Sequence, residues 1–126
     1  MITFKKEVLY TKSNEWAEKV NDLVRVGIDD YSQASLGDIV HVELREAGTH
    51  VRAGESFGEV EATKSVSSIN APVSGVLVRV NESVIASPSL VNLDPFGDGW
   101  LAEISPDDLS ELSALMDSEA YKEYIR

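Results

Sequence analysis

Apolar residues alternate along most of this chain and recur at helical spacing only near its end. Residues 23–28 (LVRVGI) read as a strand with apolar ends. After it, Asp29 is placed to cap a helical turn or two, and Gly37 to end them in the left-handed conformation. Residues 38–44 (DIVHVEL) alternate strictly. Val40, Val42 and Leu44 form the face expected to be buried, with Ile39, His41 and Glu43 opposite. Phe57–Ala62, Val66–Asn70, Gly75–Val80 and Trp100–Ile104 complete the strands, punctuated by Gly48, Gly54, Pro72 and Asn81-Glu82. Short strands at this spacing indicate an all-β sandwich or barrel. Gly37–Val42 and Gly75–Val80 share a Gly-x-x-Val-x-Val pattern, a weak echo that suits a sandwich of two related sheets.

Past Ile104 the period changes. Ser105 reads as an N-cap, Pro106 as a first helical residue and Asp107-Asp108 as acids that complement the helix dipole. Leu109, Leu112, Leu115 and Met116 follow at helical spacing, and Ser118–Ile125 reads as a second short helix. Both helices are expected to cap the sandwich without chemistry of their own. The predicted organisation is one domain over residues 1–126, with the sandwich at about 7–104 and the helices at about 106–125.

Composition narrows the function. A hydrophobic share of 43% supports a packed core. The absence of Cys removes disulfides and thiolate metal sites, and His41 and His50, the only imidazoles, read as surface residues. A net charge of −11, spread along the chain, argues against nucleic acid, which demands a basic footprint. It suits steering toward basic patches on other proteins, although a merely solvated surface explains most of these charges equally well. The opening MITFKKEVLYTKSNEW lacks the apolar run of a secretory signal, and no stretch is long enough to span a membrane. A soluble, cytoplasmic protein is the expectation. Gly54–Gly58 fits the G-x-S-x-G pattern, but both histidines precede Ser56 and no helix is predicted to follow, so no hydrolase site is read there.

One segment carries candidate chemistry. In Gly58–Asn70 two strand-like arms flank the small residues Ala62, Thr63 and Ser65 around a single lysine, Lys64. A lysine at such a turn projects into water, and most surface lysines do no more than that. A modifying enzyme could nevertheless engage such a rigid hairpin while the amine enters its active site.

The wider sequence resembles the glycine cleavage H proteins, a lipoyl carrier family. The resemblance runs through Leu9–Lys12, Trp16, Val26–Ile28, Leu36–Val40, Val42–Leu44 and Gly54–Glu61. It continues through Thr63–Ser67, Ala71–Gly75, Asn81-Glu82, Ser87-Pro88, Leu90–Asn92, Asp94–Gly97 and Gly99–Leu101. It implies a mainly β, lipoyl/biotinyl-type flattened sandwich (a barrel-sandwich hybrid) with short C-terminal helices. It implies lipoate in amide linkage on Lys64, with Glu61 and Gly75 helping lipoylating enzymes to recognise the hairpin. Biotin carriers usually flank their lysine with methionines, so Thr63 and Ser65 favour lipoate. The implied function is non-catalytic: shuttling the aminomethyl group of glycine from glycine decarboxylase (P protein) to the aminomethyltransferase (T protein). Dihydrolipoyl dehydrogenase (L protein) is the third partner, and a monomer is expected.

Ser13 and Glu15 match residues of the pocket that receives the family's loaded arm. Three positions depart from the pattern. Asn14 stands where His is general, Arg45 where Pro is common, and Ser68 where an Asp usually follows the modified lysine. With Ser68 the pocket has one carboxylate fewer, unless another acid supplies it. That departure keeps open a second reading, an H-like protein serving mainly as lipoyl donor or relay for other lipoate-dependent complexes.

Overall fold

A computed structural model describes all 126 residues. Nine strands run in two antiparallel sheets, mainly β with a few short helices. Strands β1 (Leu9–Tyr10), β2 (Glu15–Val20), β3 (Leu23–Ile28), β5 (His50–Val51), β8 (Gly75–Val80) and β9 (Ala102–Pro106) form the larger sheet, in the order β1-β2-β3-β9-β8-β5. Strands β4 (Ile39–Leu44), β6 (Ser56–Ala62) and β7 (Val66–Asn70) form the smaller, in the order β4-β6-β7. The two echoed segments fall in different sheets, as a sandwich of related halves requires.

Alternation fixes what lies between the sheets. Val24 and Val26 of β3, Val60 of β6, Ile69 of β7 and Leu77 of β8 point inward and form one core with Val42 and Ile104. A second cluster, Val8, Tyr10, Trp16 and Tyr121, joins the strands to α4 (Ser118–Tyr124). There the rings of Tyr10 and Tyr121 stack with centroids 4.4 Å apart. Helices α1 (Asp30–Leu36), α2 (Glu82–Ala86) and α3 (Leu90–Leu93) lie in the connections. Asp29 caps α1 by accepting from the Ser32 amide (2.7 Å), and Gly37 ends it at φ 83°, both as the sequence predicts.

Two sequence expectations are corrected. In β4, Ile39 is buried and Val40 is 53% exposed, the reverse of strict alternation. A register shift between Ile39 and His41 is the cause, since an extra residue turns every side chain before it to the other face. Asn92 of α3 holds this start of the strand, accepting from the Ile39 amide (2.8 Å) and donating to the Gly37 carbonyl (2.8 Å). The second correction concerns the C-terminal segment. Ser105 and Pro106 stay in β9, opposite Val76 and Gly75, instead of opening a helix. The turn that follows is a 3-10 helix, Leu109–Ala114, capped by Asp108. The second helix forms as α4, and α2 and α3 are additions that apolar spacing did not signal. No helix is long and apolar enough to cross a membrane.

Candidate functional site

Lys64 stands in the short turn between β6 and β7, which the Ala62 amide closes by donating to the Ser65 carbonyl (2.8 Å). Its side chain is exposed and enters no hydrogen bond or ion pair, whereas Lys5 pairs with Glu18 and Lys122 with Glu119. Both strands below the turn are anchored by Val60, Ala62 and Ile69 in the core, so a mobile side chain sits on a fixed base. Glu61 lies on the outer face of β6, between His41 of β4 and Val66 of β7. Glu59 shares that face, and Val66, beside the turn, is 57% exposed. The surface around the lysine is therefore acidic with an apolar edge.

Gly75 is elsewhere, in β8 of the larger sheet. A Cβ there would come within 2.1 Å of the Ser105 carbonyl and 2.7 Å of the Ile104 side chain. Close packing of β8 on β9 accounts for a glycine at this position.

Ser13 and Glu15 come together at a cavity of about 330 Å³ at the junction of the two sheets and the C-terminal segment. Glu15 is 1% exposed. Its Oε1 accepts from Thr11 Oγ1 (2.5 Å) and Ser13 Oγ (2.6 Å), and its Oε2 from the Asn70 amide (3.1 Å). These bonds tie the β1–β2 connection to the end of β7, one sheet to the other. Burial pushes the Glu15 carboxyl above the usual range, and hydrogen bonds from Ser13, Thr11 and Asn70 oppose that rise.

Ser68 does not line this cavity. It is exposed on the outer face of β7, opposite Glu59, in the row Val66–Ser68–Asn70 that leads from the lysine turn to the cavity rim. Asn70 is the rim residue, with its side-chain amide 3.4 Å from Ser13 Oγ. Sequence alone does not point to Thr11 or Asn70, because neither position carries a chemical signature before the sheets meet.

A third such residue is Glu111 of the 3-10 helix, which lines the opposite wall with Leu115 and Met116. Its Oε1 accepts from the Ser74 amide (2.8 Å) and its Oε2 from Ser74 Oγ (3.2 Å). The C-terminal segment is thus part of the site. It is held there by paired backbone bonds between Tyr10 and Met116, 2.7 and 2.9 Å.

Asn14, the residue in place of His, has a backbone role. It takes φ 74° in the β1–β2 connection, a left-handed conformation that asparagine tolerates. Its Oδ1 accepts from the Tyr121 hydroxyl (2.9 Å) and its carbonyl from the Asp29 amide (3.2 Å). No cluster of three or more metal-ligating side chains occurs.

Comparison with known proteins agrees with this architecture. A family described as "Glycine cleavage H-protein" matches residues 8–126. A glycine cleavage system H protein from Mycobacterium avium is 51% identical over 118 residues, covering 90% of this chain and 89% of the relative. Its counterpart from Thermus thermophilus is 47% identical over 120 residues, covering 95% and 94%. A crystal structure of a glycine cleavage system H protein from Mycobacterium marinum superposes with a TM-score of 0.88 at 38% identity, covering 94% of this chain and 96% of that one.

Proposed function

Because this chain belongs to the glycine cleavage H-protein family, we propose that Lys64 bears lipoate and that the chain carries the aminomethyl group of glycine between enzymes. The family is one of non-catalytic carrier components. The proposal concerns which residue holds the cofactor and how this chain uses it. The observation that carries it is a lysine exposed at the tip of a β-hairpin, with no partner to detach before the amine can be acylated.

The residues present fit the group. Acylation removes the ammonium charge, leaving a largely apolar arm that can rest against protein. The cavity offers Leu115 and Met116 beside the polar Ser13, Glu15 and Asn70. From Val66 to Asn70 the strand covers about 13 Å at about 3.3 Å per residue. An eight-carbon acyl group on a lysine adds about a dozen bonds of about 1.5 Å, enough for that distance. When bound, lipoate supplies thiol–disulfide chemistry that no side chain of this cysteine-free protein could provide. The chain's own part is to present the amine to a lipoylating enzyme through the Glu61 face, and later to shelter the arm's end beside Ser13 and Glu15.

In this reading the carrier is a cytoplasmic monomer. It docks in turn on glycine decarboxylase, the aminomethyltransferase and dihydrolipoyl dehydrogenase. The relay alternative rests on the serine at position 68, which stands opposite Glu59 on the row leading to the cavity rim; the match to glycine cleavage H proteins over nearly the whole chain favours the carrier reading.

Intact-mass measurement after incubation with a lipoate ligase, ATP and lipoate tests the assignment. The wild-type chain gains one lipoyl group and Lys64→Arg gains none. An unmodified wild-type chain, or a variant that is still lipoylated, would overturn the assignment.

A further inference from the structure

Acids outnumber cations 22 to 11 in this chain, yet at one place two cations share a single acid. Glu103 of β9 stands between Arg25 of β3 and Arg79 of β8, each its direct cross-strand neighbour. Its Oε2 accepts from Arg25 Nε (3.0 Å) and lies 2.9 Å from Arg25 Nη2, while its Oε1 lies 2.8 Å from Arg79 Nη2. A carboxylate as buried as Glu103 needs one cation, and Arg25 meets that need with two donors. Every other ion pair of the chain joins one cation to one acid. Arg79 is a surplus charge.

The surroundings leave that surplus uncompensated. Ala102 and Ile104 belong to the core, so Glu103 and its two partners lie on the outer face of the larger sheet, turned away from the smaller sheet that carries Lys64. Glu18, opposite Arg25 on β2, is engaged by Lys5 at 3.8 Å. On the other side the row ends at Arg79, because β5 pairs only with Gly75 and Val76 of β8. The Arg79 side chain is 59% exposed, and no carboxylate besides Glu103 comes within 4.0 Å of it. The Trp100 ring lies 5.1 Å from the guanidinium carbon of each arginine and attracts both. A groove of about 350 Å³ opens here, lined by the three charged residues and by Val20, Leu23 and Val78.

We propose that this groove docks an acidic segment of a partner protein: an Asp or Glu carboxylate meets Arg79 while an adjacent apolar side chain covers Val20, Leu23 and Val78. Each guanidinium keeps N–H donors that Glu103 does not take, and a carboxylate can accept two of them in parallel. A free small anion gains little at so exposed a position, where water screens the charge; a segment of chain excludes that water. Nucleic acid is repelled by the net charge of −11. The site goes beyond the carrier reading and does not depend on it. A partner held there leaves the lysine hairpin, on the other sheet, free to meet an enzyme.

The test is an NMR titration of the unmodified chain with acetyl-Leu-Glu-Leu-amide, with the uncharged acetyl-Leu-Gln-Leu-amide, and with sodium acetate at equal ionic strength. The Trp100 indole N–H and Arg79 Nε–H report the groove. The Trp16 indole N–H, buried and donating to the Pro95 carbonyl, reports that the fold is intact. The glutamate peptide is expected to shift the two groove resonances saturably, and the glutamine peptide to bind about fivefold more weakly, as loss of one partly screened charge contact implies. Acetate is expected to give only small shifts, linear in concentration. Arg79→Gln, which leaves the Arg25–Glu103 pair in place, is expected to weaken the glutamate peptide about fivefold, read at Trp100. Arg126→Gln, which removes an exposed cation paired only with Glu123, is expected to leave its affinity unchanged. Equal affinity for the two peptides, acetate that saturates as readily as the glutamate peptide, or an Arg79→Gln chain that binds like wild type would overturn the proposal.

Discussion

At the scale of single residues, position decides role more than residue type does. Asn14 shows this well. Against the family pattern that the sequence resembles, it reads as a missing imidazole, yet its φ of 74° and its bond to Tyr121 describe a joint between the β1–β2 connection and α4. Replacing it with Ala should cost roughly 1–2 kcal/mol for a left-handed backbone, plus about 1 kcal/mol for the lost hydrogen bond. Asn14→Gly should recover the backbone part alone. Urea unfolding of the two variants separates the contributions; equal losses would mean that the conformation contributes nothing. Lys64 was legible from sequence because the small residues around it and the strand patterns beside it are local. Glu111 was not, because it reads as one more acid on a short helix until Ser74, 37 positions away, fixes it against the cavity.

Elements are legible in the sequence where apolar alternation alone determines them, as in β3, β6, β7 and β8. They are not legible where a distant partner decides. The Ile39–His41 bulge depends on Asn92, 53 residues downstream, and no pattern within β4 announces it. At Ser105-Pro106 the capping signal is present, but pairing with β8 outweighs it, and Pro106 ends a strand opposite Gly75. That pairing yields a prediction. Gly75→Ala would drive a methyl group into the Ser105 carbonyl, and β8 and β9 are both central to the larger sheet, so neither can withdraw cheaply. A loss of about 3 kcal/mol is expected, a fall in Tm on the order of 10 °C. A thermal melt within 2 °C of wild type, measured by circular dichroism, would contradict the packing account. If Gly75 also aids recognition by a lipoylating enzyme, part of that effect will follow from the displaced strand.

Across the whole molecule, two sheets, a C-terminal cap and an aromatic cluster meet around buried carboxylates. Burial raises both Asp29 and Glu15 above the usual carboxylate range, and Asp29 Oδ2 has no hydrogen-bond partner. The native state therefore binds more protons than the unfolded chain between the ordinary carboxylate range and the raised values. Stability from these groups is complete below that window and declines as pH rises through it. Asparagine caps a helix as well as aspartate does, so Asp29→Asn should keep the Ser32 bond and remove the buried charge. Its melting temperature should exceed the wild-type value at pH 8 and show little gain at pH 4. A shift of equal size at both pH values would place the cause outside ionisation.

The order of the chain separates two things that the fold brings together. Residues 56–70 complete the hairpin that holds Lys64, whereas the far side of the cavity arrives only with Glu111, Leu115 and Met116. A protease that trimmed the tail after Pro106 would leave every strand pair around the lysine in place and strip away the shelter. On the proposed reading, such a clipped chain would keep the amine on offer to a modifying enzyme while losing the walls that Glu111, Leu115 and Met116 provide.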